Sequence, residues 1–144
     1  MKRYNFDLKK ISPSVYGNRR PVKGEIVALM HATYEKRGLD LIDPRSRALT
    51  RDEIHELMIT DEPEAAPGGR ADRVSVIAFF EIIQGGLAVV GDEVSIKGMA
   101  LGELAGYDLT HMPNHMNVVV KRKSLETPKI KIGDEIIISK KNED

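Results

Sequence analysis

Leu87-Ala88-Val89-Val90-Gly91-Asp92-Glu93-Val94-Ser95-Ile96 decides how this chain is read. It runs as an apolar strand, then Gly-Asp-Glu, then an alternating strand. Glycine takes the positive φ of a tight turn without steric cost, aspartate suits the next place, and glutamate opens the following strand. The same order returns at Lys129-Ile130-Lys131-Ile132-Gly133-Asp134-Glu135-Ile136-Ile137-Ile138. Two copies are too few for a solenoid. Short strands joined by tight turns fit a small barrel, where ring closure leaves no edge open.

The neighbouring segments extend this pattern. Val74 to Ile83 is β-branched or aromatic nearly throughout, the character of a strand buried on both faces. Gln84-Gly85-Gly86 breaks it. Leu101 to Leu104, Asn117 to Lys121 and Glu135 to Ser139 read as further strands. Gly24 to Tyr34 suits a strand through Ile26, Val27, Leu29, Thr33 and Tyr34. Its Ala28, Leu29, Met30 and Ala32 are also helix formers. The fold expected is therefore mainly β, a closed or partly closed barrel of about six strands. The alternative is an α+β domain with residues 24–36 helical.

The Gly91-Asp92-Glu93-Val94 turn is similar to turns in the small β-barrel domains of translation factors. That likeness spans one turn and implies a barrel shape. No family resemblance covers the chain.

One helix is expected inside this β frame. Thr50 and Glu53 have the spacing of a capping box. Ile54, Leu57 and Met58 then fall at i, i+3 and i+4. This predicts a short helix over residues 51–59, with His55 exposed on it.

The chain has 144 residues, enough for one domain with its own core. We divide it into an N-terminal arm (1–23), a barrel-like domain (24–140) and a frayed tail (141–144). There is no cysteine, which excludes disulfides, thiolate metal sites and cysteine nucleophiles. Lysine and arginine number 22, matched by 22 acids, so no global field draws the protein to nucleic acid or to an anionic membrane. Seven aromatics, three Phe and four Tyr, are few for stacking bases, and nucleic acid is not an expected partner. Met1 to Asp7 has basic residues with no apolar run behind them, so it does not read as a signal peptide. No stretch approaches the roughly 18 apolar residues of a membrane span. The expectation is a cytoplasmic protein.

Charge is neutral only in sum. Residues 1–23 and 121–131 are basic, and residues 52–64 carry Asp52, Glu53, Glu56, Asp61, Glu62 and Glu64 without a cation. Solvated faces account for this pattern. A basic face meeting an acidic segment of a second copy, in a homo-oligomer, is the sharper reading.

The chemistry concentrates at Gly106-Tyr107-Asp108 and His111-Met112-Pro113-Asn114-His115-Met116-Asn117. Met112 to His115 reads as a β-turn with Pro113 at its second place and a left-handed Asn114 at its third. His111 and His115 then flank the turn. With Asp108 they make two imidazoles and a carboxylate, a donor set for a divalent metal with open positions. Tyr107, His111, Asn114, His115 and Asn117 are the candidate ligand-binding residues. A metal centre, a metal-free pocket for a small polar ligand, and a structural turn are all open at this stage, and so is catalysis. A structural histidine turn makes the protein a non-catalytic oligomeric or interaction module. His31 joins the site if its strand face points inward.

Two arginine-bearing loops are weaker candidates. Pro67-Gly68-Gly69-Arg70-Ala71-Asp72-Arg73 offers amides and arginines to an anion but lacks the Gly-Lys-Ser/Thr ending of a P-loop. Asp43-Pro44-Arg45-Ser46-Arg47 is similar in kind. No serine-nucleophile elbow, dinucleotide fingerprint or His-Glu-x-x-His is present.

Overall fold

The computed structural model describes residues 16–141. The first fifteen residues of the expected arm and the last three of the tail lie outside them. Eleven strands form, in chain order: β1 (Val22–Tyr34), β2 (Leu39–Asp40), β3 (Ser46–Leu49), β4 (Ile54–Thr60), β5 (Arg70–Ala71) and β6 (Val74–Gln84). Then come β7 (Gly86–Val89), β8 (Glu93–Ile96), β9 (Met99–Asp108), β10 (Asn117–Lys121) and β11 (Glu135–Ser139). Seven of them close a barrel in the order β1-β11-β8-β9-β10-β4-β6. The short pairs β2-β5 and β3-β7 stand apart as two-stranded sheets.

The two Gly-Asp-Glu segments are one structure used twice. Gly91 and Gly133 both have φ of 97°, a left-handed backbone that glycine adopts without strain. The Val89 amide donates to Asp92 Oδ2 at 2.9 Å, and the Lys131 amide to Asp134 Oδ2 at 2.8 Å. Each turn is then clamped to a third strand. Gly91 N donates to Leu104 O and Leu104 N to Asp92 O; Gly133 N donates to Ile26 O and Ile26 N to Asp134 O. The strands after the turns pair with each other, Val94 with Ile138 and Ile96 with Ile136. The barrel therefore carries an internal two-fold likeness, with β8 and β9 on one side matched by β11 and β1 on the other.

Glycine marks the bends of this repeat. Gly24 pairs with Ile136, and Gly102 pairs with Val94. A Cβ on Gly24 would lie 2.7 Å from Glu81 O, and one on Gly102 would lie 2.0 Å from Lys121 O. Both are backbone approaches that a side chain forbids.

Two apolar clusters explain the continuous hydrophobic runs. Leu57, Ile59, Ile77, Phe80, Ile82, Val118 and Val120 fill the barrel interior. Met58, Val74, Val76 and Val119 point outward, where Leu39, Leu41, Ala65 and Ala71 cover them. The excursion between β1 and β6 is thus a lid over the outer wall, and β4, β6 and β10 are buried on both faces. Each large side chain so covered contributes about 1.5–3 kcal/mol relative to exposure.

The expected helix at 51–59 is absent, and the helical alternative for 24–36 is excluded. Those segments are the turn into β4, β4 itself, and β1. The Thr50–Glu53 signal was real but belongs to a turn. Glu53 Oε1 accepts from the Thr50 amide at 2.7 Å, and the Glu53 amide donates to Thr50 O at 3.1 Å. Asp52 at φ 78° reverses the chain there, so no helix follows. Leu57 and Met58 then point to opposite faces of a strand, each into a different core cluster. The described part of the arm lies against the barrel. Arg19 pairs with buried Asp92, and Arg20 Nε donates to Gly85 O.

Candidate functional site

β4 and β10 run parallel, with Asn117 opposite Glu56, and the Glu56 amide donates to Met116 O at 3.0 Å. This register sets His115, at the entry to β10, beside Glu56 near the start of β4. His115 Nε2 lies 2.8 Å from Glu56 Oε1. Glu56 is 7% exposed. Asn114 Nδ2 lies 3.0 Å from His115 Nδ1, so the amide donates to Nδ1, and Nε2–H donates to Glu56.

The loop that carries both histidines is a tight coil. His111 O accepts from the amides of Asn114 at 3.0 Å and His115 at 3.3 Å, with a cis Met112–Pro113 bond between. The turn thus starts at His111, one residue earlier than expected. Pro113 takes the third place, and Asn114 has no positive φ. This coil stacks the His111 ring near His115, at 5.0 Å between centroids. One ligand atom each from Glu56, His111 and His115 lies within 4.8 Å of the others.

Phe79, paired with Glu56 from β6, presents its ring edge-on to His115 at 5.1 Å. With Glu53, His55, Met112, Pro113, Asn114 and His115 it lines a cleft of about 470 Å³, whose lining does not include Glu56 or His111. A larger cleft, about 850 Å³, lies at the far end of β4 and β10 between Thr60, Leu101, Lys121 and Arg122. It has no imidazole, and its size alone does not make it the site of chemistry.

His55 is 6% exposed rather than solvent-facing. Its Nδ1 accepts from the Met116 amide at 3.1 Å, and Nε2 lies 3.2 Å from Glu53 Oε1. Burial pushes its pKa below the ordinary imidazole value, against the opposing pull of Glu53. It is a neutral imidazole that holds the backbone between His115 and β10.

The other candidates sit inside the wall. Tyr107 is fully buried and donates its hydroxyl to Ala88 O at 2.8 Å. Burial raises its pKa, keeping the phenol protonated. Asp108 accepts from the Asp40 and Thr110 amides and from Asn117 Nδ2 at 3.0, 2.9 and 3.1 Å. Burial works to raise its pKa, but these bonds outweigh it and hold the carboxyl below the usual range. Asn117 is fully buried, and neither residue lines the cleft. His31 is exposed on β1 and is not among the converging groups. In the glycine-rich loop, Arg70 pairs with Asp72, and Arg73 with Asp61 and Glu35.

Glu56 is the residue that sequence reasoning missed. As part of a helix it counted among solvated acids. Read as the strand Ile54-His55-Glu56-Leu57-Met58-Ile59-Thr60, it is an acid on a strand buried from His55 to Thr60, which is itself a site signal. Among the described residues, no helix is long and apolar enough to cross a membrane.

The chain belongs to a family of unknown function, DUF6917, whose profile matches residues 16–140. No curated protein and no solved structure matches it.

Proposed function

We propose that this domain binds one divalent transition-metal ion through Glu56, His111 and His115, and offers the ion's open positions to a small polar ligand. The observation that carries the reading is the convergence of these three ligand atoms within 4.8 Å. Two imidazoles and one carboxylate suit zinc, ferrous iron or manganese with positions to spare.

The energetics favour the same reading. A carboxylate as buried as Glu56 is costly unless charge or hydrogen bonds compensate it. A divalent ion between Glu56 and His115 compensates it more fully than one imidazole N–H. Metal binding replaces the Nε2 proton of His115, and Asn114 then turns its amide so that Oδ1 accepts from Nδ1. Both histidines bond to side chains, whereas His55 is the imidazole that ties down backbone. A purely structural turn has no use for that division.

The test is the metal content of tag-free protein by plasma mass spectrometry, after exposure to zinc, manganese or ferrous iron and removal of excess. The expected result is one equivalent in the wild type and none in His111→Ala/His115→Ala, with both proteins folded by circular dichroism. Folded wild-type protein that retains no metal overturns the proposal.

A further inference from the structure

We infer that the ligand taken by this centre is an oxyanion, a carboxylate or phosphate group, and that Arg37 selects it. The inference rests on the metal reading above and adds the chemistry of what the ion meets.

Arg37 follows β1, and its side chain reaches His111 of the histidine loop. Its backbone is fixed by donation to Asp72 O at 2.8 Å. Its guanidinium lies over the Tyr34 ring, 5.7 Å from the centroid. Its Nη2 lies 3.2 Å from His111 Nε2. Arginine is a donor only, so His111 Nε2 accepts, and a cation stands at the edge of the ligand cluster.

The neighbouring charges make this placement informative. Asp72, whose carbonyl holds the Arg37 amide, pairs its carboxylate with Arg70, and Glu35 and Asp61 pair with Arg73. Among the described residues no carboxylate forms an ion pair with Arg37. A lone arginine beside a metal site opposes the ion electrostatically, yet it complements an anion that the ion also holds. The planar fork fits two oxygens of one carboxylate or phosphate, with another oxygen, or a shared one, on the metal.

The contact with His111 gives the order of events. Without the ion, Arg37 donates to Nε2 of His111. An oxyanion held by the ion is the stronger acceptor, and the guanidinium turns from Nε2 to it. Anion binding therefore depends on the metal.

The experiment is a calorimetric titration of acetate and of inorganic phosphate into the cobalt-loaded wild type, Arg37→Ala and Arg37→Lys, with apo protein as reference. Cobalt affinity is measured first for each. Arg37→Ala should keep or tighten cobalt binding while losing about ten- to a hundredfold in anion affinity. Arg37→Lys should recover part of that loss. The two anions identify which oxyanion geometry the fork prefers, and tight binding of either supports the inference. Three results overturn it: equal anion affinity in Arg37→Ala, equal anion affinity in apo protein, or cobalt affinity that falls with Arg37 while anion affinity does not. A wild type that takes up no cobalt overturns the metal reading itself and this inference with it. That outcome appears in the first titration and is distinct from the other three.

Discussion

Glu56 Oε1 and His115 Nε2 meet at 2.8 Å although 59 positions separate them in the chain. The parallel pairing of β4 with β10 brings them together, and nothing in the local sequence of either does. If the pair exists to hold an ion, Glu56→Gln should lower metal affinity by at least about a hundredfold. That is the upper end of the effect of a single supporting residue, and a direct ligand should exceed it. Glutamine keeps an acceptor for the His115 N–H, so the thermal unfolding midpoint should move little. Calorimetric metal titration and a melting curve on one variant separate the two effects.

His55 makes stability depend on pH. Its folded pKa lies below the ordinary 6.5, mainly through burial, so the unfolded chain takes up a proton first as pH falls. The stabilisation present above about 6.5 is then lost progressively toward the folded value. The melting temperature should fall between about pH 7 and pH 5 in the wild type. In His55→Gln it should start lower and change less over that range. Parallel slopes would remove His55 from the explanation.

The two matched turns should differ in energetic weight. Asp92 is buried and bonded by Arg19 at 2.7 and 2.9 Å, whereas Asp134 is partly exposed with an exposed backbone bond. Arg19→Ala leaves a buried carboxylate without its cation and should destabilise by about 3–5 kcal/mol. Asp134→Ala removes one ordinary bond and should destabilise by about 1 kcal/mol. Urea unfolding of both variants checks the ranking.

Asp108 is expected to act as a structural anchor. Asp108→Asn places an amide where three donors converge and should destabilise by about 1–3 kcal/mol. Its folded pKa lies below 3.8, so its contribution is complete above that value and is lost as pH falls through the folded one. Acid unfolding of the wild type should therefore start at lower pH than that of a chain lacking the coordinated bonds. Metal affinity should be unchanged in Asp108→Asn, and a large fall would return Asp108 to the ligand set.

The barrel was legible because its signals are local. The repeated Gly-Asp-Glu turns, the run from Val74 to Ile83 and the strand from Asn117 to Lys121 each carry their own pattern. β4 was misread because Thr50 and Glu53 form the same contact in a tight turn as at a helix start, and i, i+3, i+4 spacing over three apolar residues does not separate the two. The histidine loop announced itself through its composition. Glu56 and Arg37 did not, because the first reaches the site through a parallel pairing and the second through the loop after β1. Such long-range register is not written in any window of sequence.

The most direct test of the central claim is a titration of apo protein with cobalt(II), followed by visible absorption. The account predicts saturation at one equivalent, with ligand-field bands that vanish in His115→Ala and Glu56→Gln while both variants remain folded. A featureless spectrum for folded wild-type protein, or bands that survive both substitutions, would contradict it.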